Sequence, residues 1–360
     1  MRRITVLLGL LFMSGLAPVQ AAFTSLYAFG DGVSTTTNNT SPGVTNYYGQ
    51  SFCNGRVWVE VLAQWQGLAY DSNKNWSYFG HYSDNLTNDV DTFTAPGDVG
   101  TALFLVWINN ADFVYALNDP SFGPPYNSSK LPLWTNYLNI SLSNHTTAIQ
   151  TLYNKGVRTL VMPNVVDLSN VPNYSSLVTS NKTFIRQRIV EYNLKFTGIL
   201  SNSMAALPGL KIHQPDTFLL FENLMTNAAS FGLTNPGIDA IDDLYDGLGN
   251  PTFAGPGASY IFWDFLHPTA KFQMLIAERA QQMLAPLTIS KITSVGVSNK
   301  LDFLNLPVGR NGVVESSTNF LNWTTAATVT VTNPVQSIFV PVTTPRNFYR
   351  LRLPFVWTYP

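Results

Sequence analysis

Along most of the chain, apolar positions follow two alternating rhythms. Short, mostly apolar runs at residues 26–29, 103–108, 160–162 and 210–213 read as buried strands. Between them, apolar residues at three- and four-residue spacing predict helices over 57–68, 137–154, 184–206, 217–227 and 268–284. Gly156 and Pro208-Gly209 supply helix stops, and Pro268 suits a first helical turn. Strands alternating with helices predict an α/β fold with a parallel sheet and helices on both faces, a three-layer α/β/α arrangement. In such sheets ligands bind beyond the carboxyl ends of the strands. The loops after Phe29, Ile108 and Met162, and the turn before Pro268, are therefore where chemistry is expected. Near Ser290 the rhythm becomes short Thr-, Val-, Asn- and Phe-rich segments, with turns at Gly309-Arg310-Asn311-Gly312 and Asn333-Pro334. This predicts a separate all-β module over 289–360 behind a main domain over 22–288.

Residues 1–21 break the pattern. Met1-Arg2-Arg3 is basic, 4–16 is mostly apolar, and Pro18-Val19-Gln20-Ala21-Ala22 offers small residues for cleavage after Ala21. This is the three-part form of a secretory signal peptide, shorter than the span of about 20 residues a membrane helix needs. The mature protein is expected to be exported to the periplasm, cell surface or medium, without a membrane span. Asn-x-Ser/Thr sequons at Asn75, Asn85, Asn127, Asn139, Asn173 and Asn322 matter only in a host that glycosylates.

Composition narrows the function classes. Of 360 residues, 20 are Lys or Arg and 21 Asp or Glu, a net charge of −1, so no basic field for nucleic acid exists. Charged residues make up 11%, well below the usual level of about 25%, and the 45% hydrophobic content supports a large core. Cys53 is the single cysteine and there are four histidines, which excludes an internal disulfide and cysteine-ligated zinc and gives no sign of a metal or organic cofactor.

Candidate chemistry gathers in Phe29-Gly30-Asp31-Gly32, Asn54-Gly55-Arg56-Val57-Trp58, Trp107-Ile108-Asn109-Asn110-Ala111-Asp112-Phe113, Met162-Pro163-Asn164 and Asp264-Phe265-Leu266-His267-Pro268. In this order, over 23–286, the chain resembles the GDSL, or SGNH, hydrolases. The resemblance implies an esterase or lipase in which a strand-end serine attacks an ester, an Asp-x-x-His pair serves as base, and a glycine N–H and an asparagine side chain stabilise the oxyanion. Carried over by position, the base pair falls on Asp264 and His267. The nucleophile falls on Gly32, after Asp31, and the oxyanion asparagine on Ala111, beside Asn109 and Asn110. The second-block glycine falls near Gly80 and His81.

The two departures leave three readings open. His267 could activate water in the space that Gly32 vacates, with Gly32 N–H and Asn109 or Asn110 as oxyanion donors. Ser34 could substitute as nucleophile. Or the site is inactive and the groove binds polysaccharide or lipid, with the C-terminal module attaching the protein to a surface or matrix. Local alternatives stand beside these: Asp31 as a turn cap, Asn109 and Asn110 as turn residues, and His81 as a core-edge side chain.

Overall fold

The computed structural model describes residues 23–37, 47–245, 257, 259–344 and 346–353. The proposed leader and its cleavage site lie outside these residues. Five strands, β1 (Leu26–Gly30), β2 (Asn75–Ser77), β3 (Leu103–Trp107), β4 (Thr159–Val161) and β5 (Lys211–His213), form one sheet in the order β2-β1-β3-β4-β5, with every neighbouring pair parallel. β3 lies at the centre because Leu-Phe-Leu-Val-Trp has no polar side chain to expose, and all five residues are buried.

Helices cover the sheet with apolar stripes. On α4 (Leu131–Asn154) the stripe runs through Trp134, Leu138, Leu142, Ile149 and Leu152. On α5 (Thr179–Ala206) it runs through Ile185, Ile189, Tyr192, Phe196 and Leu200. Both helices start five or six residues before the predicted positions, because their first turns carry polar or exposed side chains that leave no periodic signal. Ahead of α4, one strand and two helices went unseen. These are β2 and α2 (Ser83–Thr92), whose sequences are largely polar, and α3 (Asn109–Asn118), whose opening asparagines read equally well as a turn. Among the described residues no helix is long and apolar enough to cross a membrane.

Two helices fix the site. α1 (Trp58–Trp65) begins with Glu60 Oε2 accepting the Val57 N–H at 2.8 Å. It packs on α8 (Ala270–Leu284), where Gln273 accepts the Trp58 N–H at 3.0 Å and donates to the Val33 carbonyl at 2.9 Å. Buried Asn54 accepts the Ala270 N–H at 2.8 Å, and Gly55 approaches so closely that a Cβ would meet Ala270 Cβ at 2.7 Å. The Asn54-Gly55 segment thus clamps the start of α8, the helix that follows His267, to the turn after β1.

Beyond α6 (Thr217–Thr226), a second parallel pair, β6 (Asn235–Asp239) and β7 (Tyr260–Phe262), flanks the short α7 (Ala240–Tyr245). β7 delivers the chain into the Asp264–His267 loop. From Thr288, strands β8 (Thr288–Val295), β9 (Ser298–Leu304), β10 (Asn311–Ser317), β11 (Thr324–Thr330), β12 (Gln336–Pro341) and β13 (Phe348–Arg352) make two antiparallel three-stranded sheets. These enclose their own cluster of Leu301, Phe303, Leu306, Val314, Val329, Val331, Ile338 and Val340.

Phe104 on β3 is fully buried, its ring stacked on Tyr27 at 5.0 Å and edge-on to Phe93 at 5.8 Å. Phe104→Ala leaves a cavity that the flanking strands cannot close, so chemical denaturation should show a loss of about 3–5 kcal/mol.

Candidate active site

The sheet's carboxyl end opens into a cavity of about 520 Å³, lined by Asp31, Gly32, Gly80, Asn110, Ala111 and His267 with a largely apolar wall. Asp31 and Gly32 arrive in the turn after β1, where Asp31 Oδ1 accepts the Val33 N–H at 2.9 Å and its carbonyl accepts the Ser34 N–H at 3.1 Å. Asn110 and Ala111 arrive in the first turn of α3. This segment is therefore a helix start and not the loop expected.

Asp264 and His267 form a tight dyad. His267 Nδ1 lies 2.8 and 3.0 Å from the two Asp264 oxygens, and Asp264 Oδ1 also accepts the N–H groups of Leu266 at 2.8 Å and His267 at 2.6 Å. A further donor was not visible in the sequence: the Tyr47 hydroxyl bonds Asp264 Oδ2 at 2.8 Å from 217 positions away. Burial pushes the Asp264 carboxyl up, but the His267 charge and these hydrogen bonds outweigh it, and the group sits below its ordinary value of 3.8. With Nδ1 held by the carboxylate, the neutral ring presents its Nε2 lone pair on the opposite side.

The ring is fixed as well as oriented. His267 is 5% exposed, stacked on Phe52 at 4.7 Å and beside Phe79 at 5.9 Å. Its Nε2 points at Gly32: a Cβ on residue 32 would lie 2.6 Å from Nε2 and 3.2 Å from Phe79 Cδ2. The expected space above Gly32 is therefore filled by the imidazole. Glycine is the residue whose missing side chain lets the ring approach the turn this closely.

The other expected site residues separate. Ser34 is buried and its hydroxyl accepts the Trp58 indole N–H at 2.9 Å, so it does not line the cavity. Asn109 donates to the Pro163 carbonyl at 3.0 Å and also lies outside the cavity wall. Asn110 Oδ1 accepts the Val166 N–H at 3.1 Å, which leaves its amide nitrogen without a protein acceptor among the described residues. Of the two neighbouring asparagines, Asn110 is the one placed to donate into the cavity. Gly80, at φ +82°, lines the wall, whereas His81 turns away to Asp89 at 3.2 Å. No protein acceptor takes the Gly32 or Gly80 N–H among the described residues. Asn164 likewise has a structural role, bonding Asp216 at 2.9 Å and accepting the Phe218 N–H at 2.9 Å. Sequon Asn75 is buried in β2 and donates to the Ser34 carbonyl at 2.8 Å, so the folded chain offers no access there.

Curated proteins similar in sequence carry the same family label as the resemblance read from the motifs. No family model matches the chain. A GDSL esterase/lipase of Arabidopsis thaliana is 24% identical over 210 residues, covering 55% of this chain and 53% of that protein. A second from the same plant is 24% identical over 315 residues, 70% of this chain and 87% of that protein. The thermolabile hemolysin of Vibrio parahaemolyticus is 24% identical over 276 residues, 70% of this chain and 62% of the hemolysin. The chain thus spans about half the length of the first of these relatives, at 53%. Among solved structures, an acetylxylan esterase of Geobacillus stearothermophilus is 12% identical with a TM-score of 0.40, covering 72% of this chain and 93% of the esterase. A lipase from a goat rumen metagenome is 10% identical with a TM-score of 0.41, covering 72% and 96%. The chain is a sequence relative of the GDSL esterase/lipases.

Two outcomes follow from the geometry. Gly32→Ala places a methyl group against the His267 ring and Phe79, and should cost about 1–3 kcal/mol in denaturant unfolding. Asp31 is pushed up to about 6 by burial, an effect that the Val33 N–H and the His267 charge only partly offset. Because the folded value lies above the ordinary 3.8, the folded state holds this proton more tightly, and stability is lost as pH rises from about 4 through about 6. Asp31→Asn should therefore be more stable than the parent by about 2–3 kcal/mol at pH 7, the gain vanishing near pH 4 in a denaturation series.

Proposed function

We propose that the protein is an exported hydrolase of acyl esters whose reactive group is the His267–Asp264 dyad, working without a serine nucleophile. The observation that carries this reading is the pairing itself: an imidazole oriented by a carboxylate, with its free nitrogen at the wall of a cavity large enough for a ligand. The relatives named as esterases and lipases support the reaction class. Gly32 N–H, Gly80 N–H and the Asn110 amide are the donors available to a developing oxyanion, in place of the asparagine that Ala111 lacks.

The cavity wall favours an acyl chain over an acetyl group. Phe79, Val114, Tyr115, Leu168, Phe262 and Ile276 would bury methylene groups, each contributing about 0.8 kcal/mol on leaving water. The same wall supports lipid over polysaccharide as the ligand class. A second reading, a non-catalytic binder of lipid in this groove, is favoured by the two departures at Gly32 and Ala111. The strands from Thr288 onward are proposed as an attachment module, in keeping with their separate core.

Nitrophenyl octanoate should be hydrolysed with kcat/KM at least about tenfold above that for nitrophenyl acetate, and His267→Ala should abolish turnover of both. A fluorophosphonate should leave every serine of the protein unlabelled. Saturable binding of octanoate esters with no turnover would establish the binder instead.

A further inference from the structure

Resting on the ester-hydrolase reading, we propose that His267 Nε2 is itself the attacking atom, so that the acyl group passes through an acyl-imidazole on the enzyme. The first support is position. Nε2 lies 2.6 Å from where a Cβ on residue 32 would stand, so the nitrogen occupies the room in which the relatives' motif carries the serine side chain. A base acting through water needs a water molecule between itself and the ester carbon, at the very place the ring fills.

The second support is elimination. Among the described residues, no serine, threonine, cysteine or lysine lines the cavity. Ser34 holds the Trp58 indole, and buried Ser77 lies against Gly30, outside the wall. Cys53 is buried elsewhere, and burial pushes its thiol well above its ordinary value. Among the described residues, the wall's other side-chain oxygens belong to the amides of Asn110 and Asn118, which are not nucleophiles, and to Asp31, Asp119, Tyr82 and Tyr115; Asp119 Oδ1 is taken by the Ser121 N–H and hydroxyl. Asp31 has one oxygen tied to the Val33 N–H, and the tyrosine hydroxyls have no base bonded to them among the described residues.

The third support is preorganisation. Both Asp264 oxygens face Nδ1, the Phe52 ring lies parallel to the imidazole within 22°, and no protein group bonds Nε2 among the described residues. A nucleophile held in one orientation with a free lone pair loses little entropy on attack.

The step balances without a cofactor. The Nε2 lone pair adds to the ester carbon, and the carbonyl π pair moves to oxygen, facing the Gly32, Gly80 and Asn110 donors. Collapse expels the alcohol oxygen with the C–O electron pair, and that alkoxide takes a proton from water. The positive acyl-imidazole, its Nδ1–H bonded to the Asp264 carboxylate, is then attacked at carbon by the hydroxide so formed. The C–N bond breaks, its electron pair returns to Nε2, and the carboxylic acid departs, losing its proton to solvent.

The test is rapid mixing of the full chain with nitrophenyl octanoate, followed by acid quench and mass measurement of the intact protein and its peptides. Expected are a nitrophenolate burst of about one equivalent, a single octanoyl adduct on the peptide carrying His267, and octanohydroxamate when hydroxylamine is present. His267→Gln should lose the burst and lower turnover about 1,000-fold. The adduct is read on the parent, so the test does not depend on how the variant folds. Turnover that requires His267 but gives no burst and no adduct would overturn the nucleophile while leaving the ester-hydrolase reading intact. An adduct on the peptide of Asp31, Ser34 or Ser77 would overturn it equally. A parent that turns over no ester would remove both.

Discussion

The Asp264 carboxylate organises the far end of the sheet. It is almost completely buried, and it survives there because four donors meet it: the imidazole N–H, two backbone N–H groups and the Tyr47 hydroxyl. An uncompensated buried carboxylate would take up a proton, lose its grip on the ring and free the loop. The balance instead favours the charged form, and this one group sets both the ring's tautomer and the direction of its free nitrogen. The bonds to Leu266 and His267 close the loop on itself. The Trp263 N–H to His267 carbonyl bond at 2.8 Å seals it, and Thr269 then starts α8.

Gly32 is the counterpart of that constraint. In most contexts a glycine costs folding entropy for nothing. At this turn it permits an approach of ring to backbone that any side chain would prevent. The glycine is therefore coupled to the position of the histidine: the imidazole stands where a side chain on residue 32 would begin. Phe52 and Phe79 complete the arrangement by fixing the ring plane at the edge of an apolar cavity, where electrostatic interactions are stronger than in water.

The clamp around α8 shows how local sequence serves a distant site. Asn54, Gly55, Trp58 and Gln273 carry no chemistry, yet they hold α8, and with it the preceding His267 loop, against the Asp31–Val33 turn. The presence of Asn54, Gly55 and Trp58 in a segment that carries the family resemblance has this mechanical explanation. Asn109 and Asn164 are of the same kind, satisfying buried carbonyls and helix ends rather than facing a ligand.

Much of this was legible in the chain alone. Strong periodicity located β1, β3, α1, α4, α5, α6 and α8, because a buried face must repeat with the geometry of its element. The change of texture near residue 290 announced the antiparallel strands for the same reason. The motif order singled out Asp264, His267, Gly32 and Ala111. What the linear order could not carry was decided by tertiary packing. The largely polar elements β2 and α2 take their structure from their neighbours and not from an apolar stripe. Asn109 is tied to the Pro163 carbonyl and His81 to Asp89, so packing leaves Asn110 and Gly80 as the neighbours on the cavity wall. Tyr47 bonds Asp264 across 217 positions, a contact to which no local spacing points. Whether the glycine left a hole or made room for the ring is a matter of a few tenths of a nanometre between two loops, and only their docking through α8 settles it.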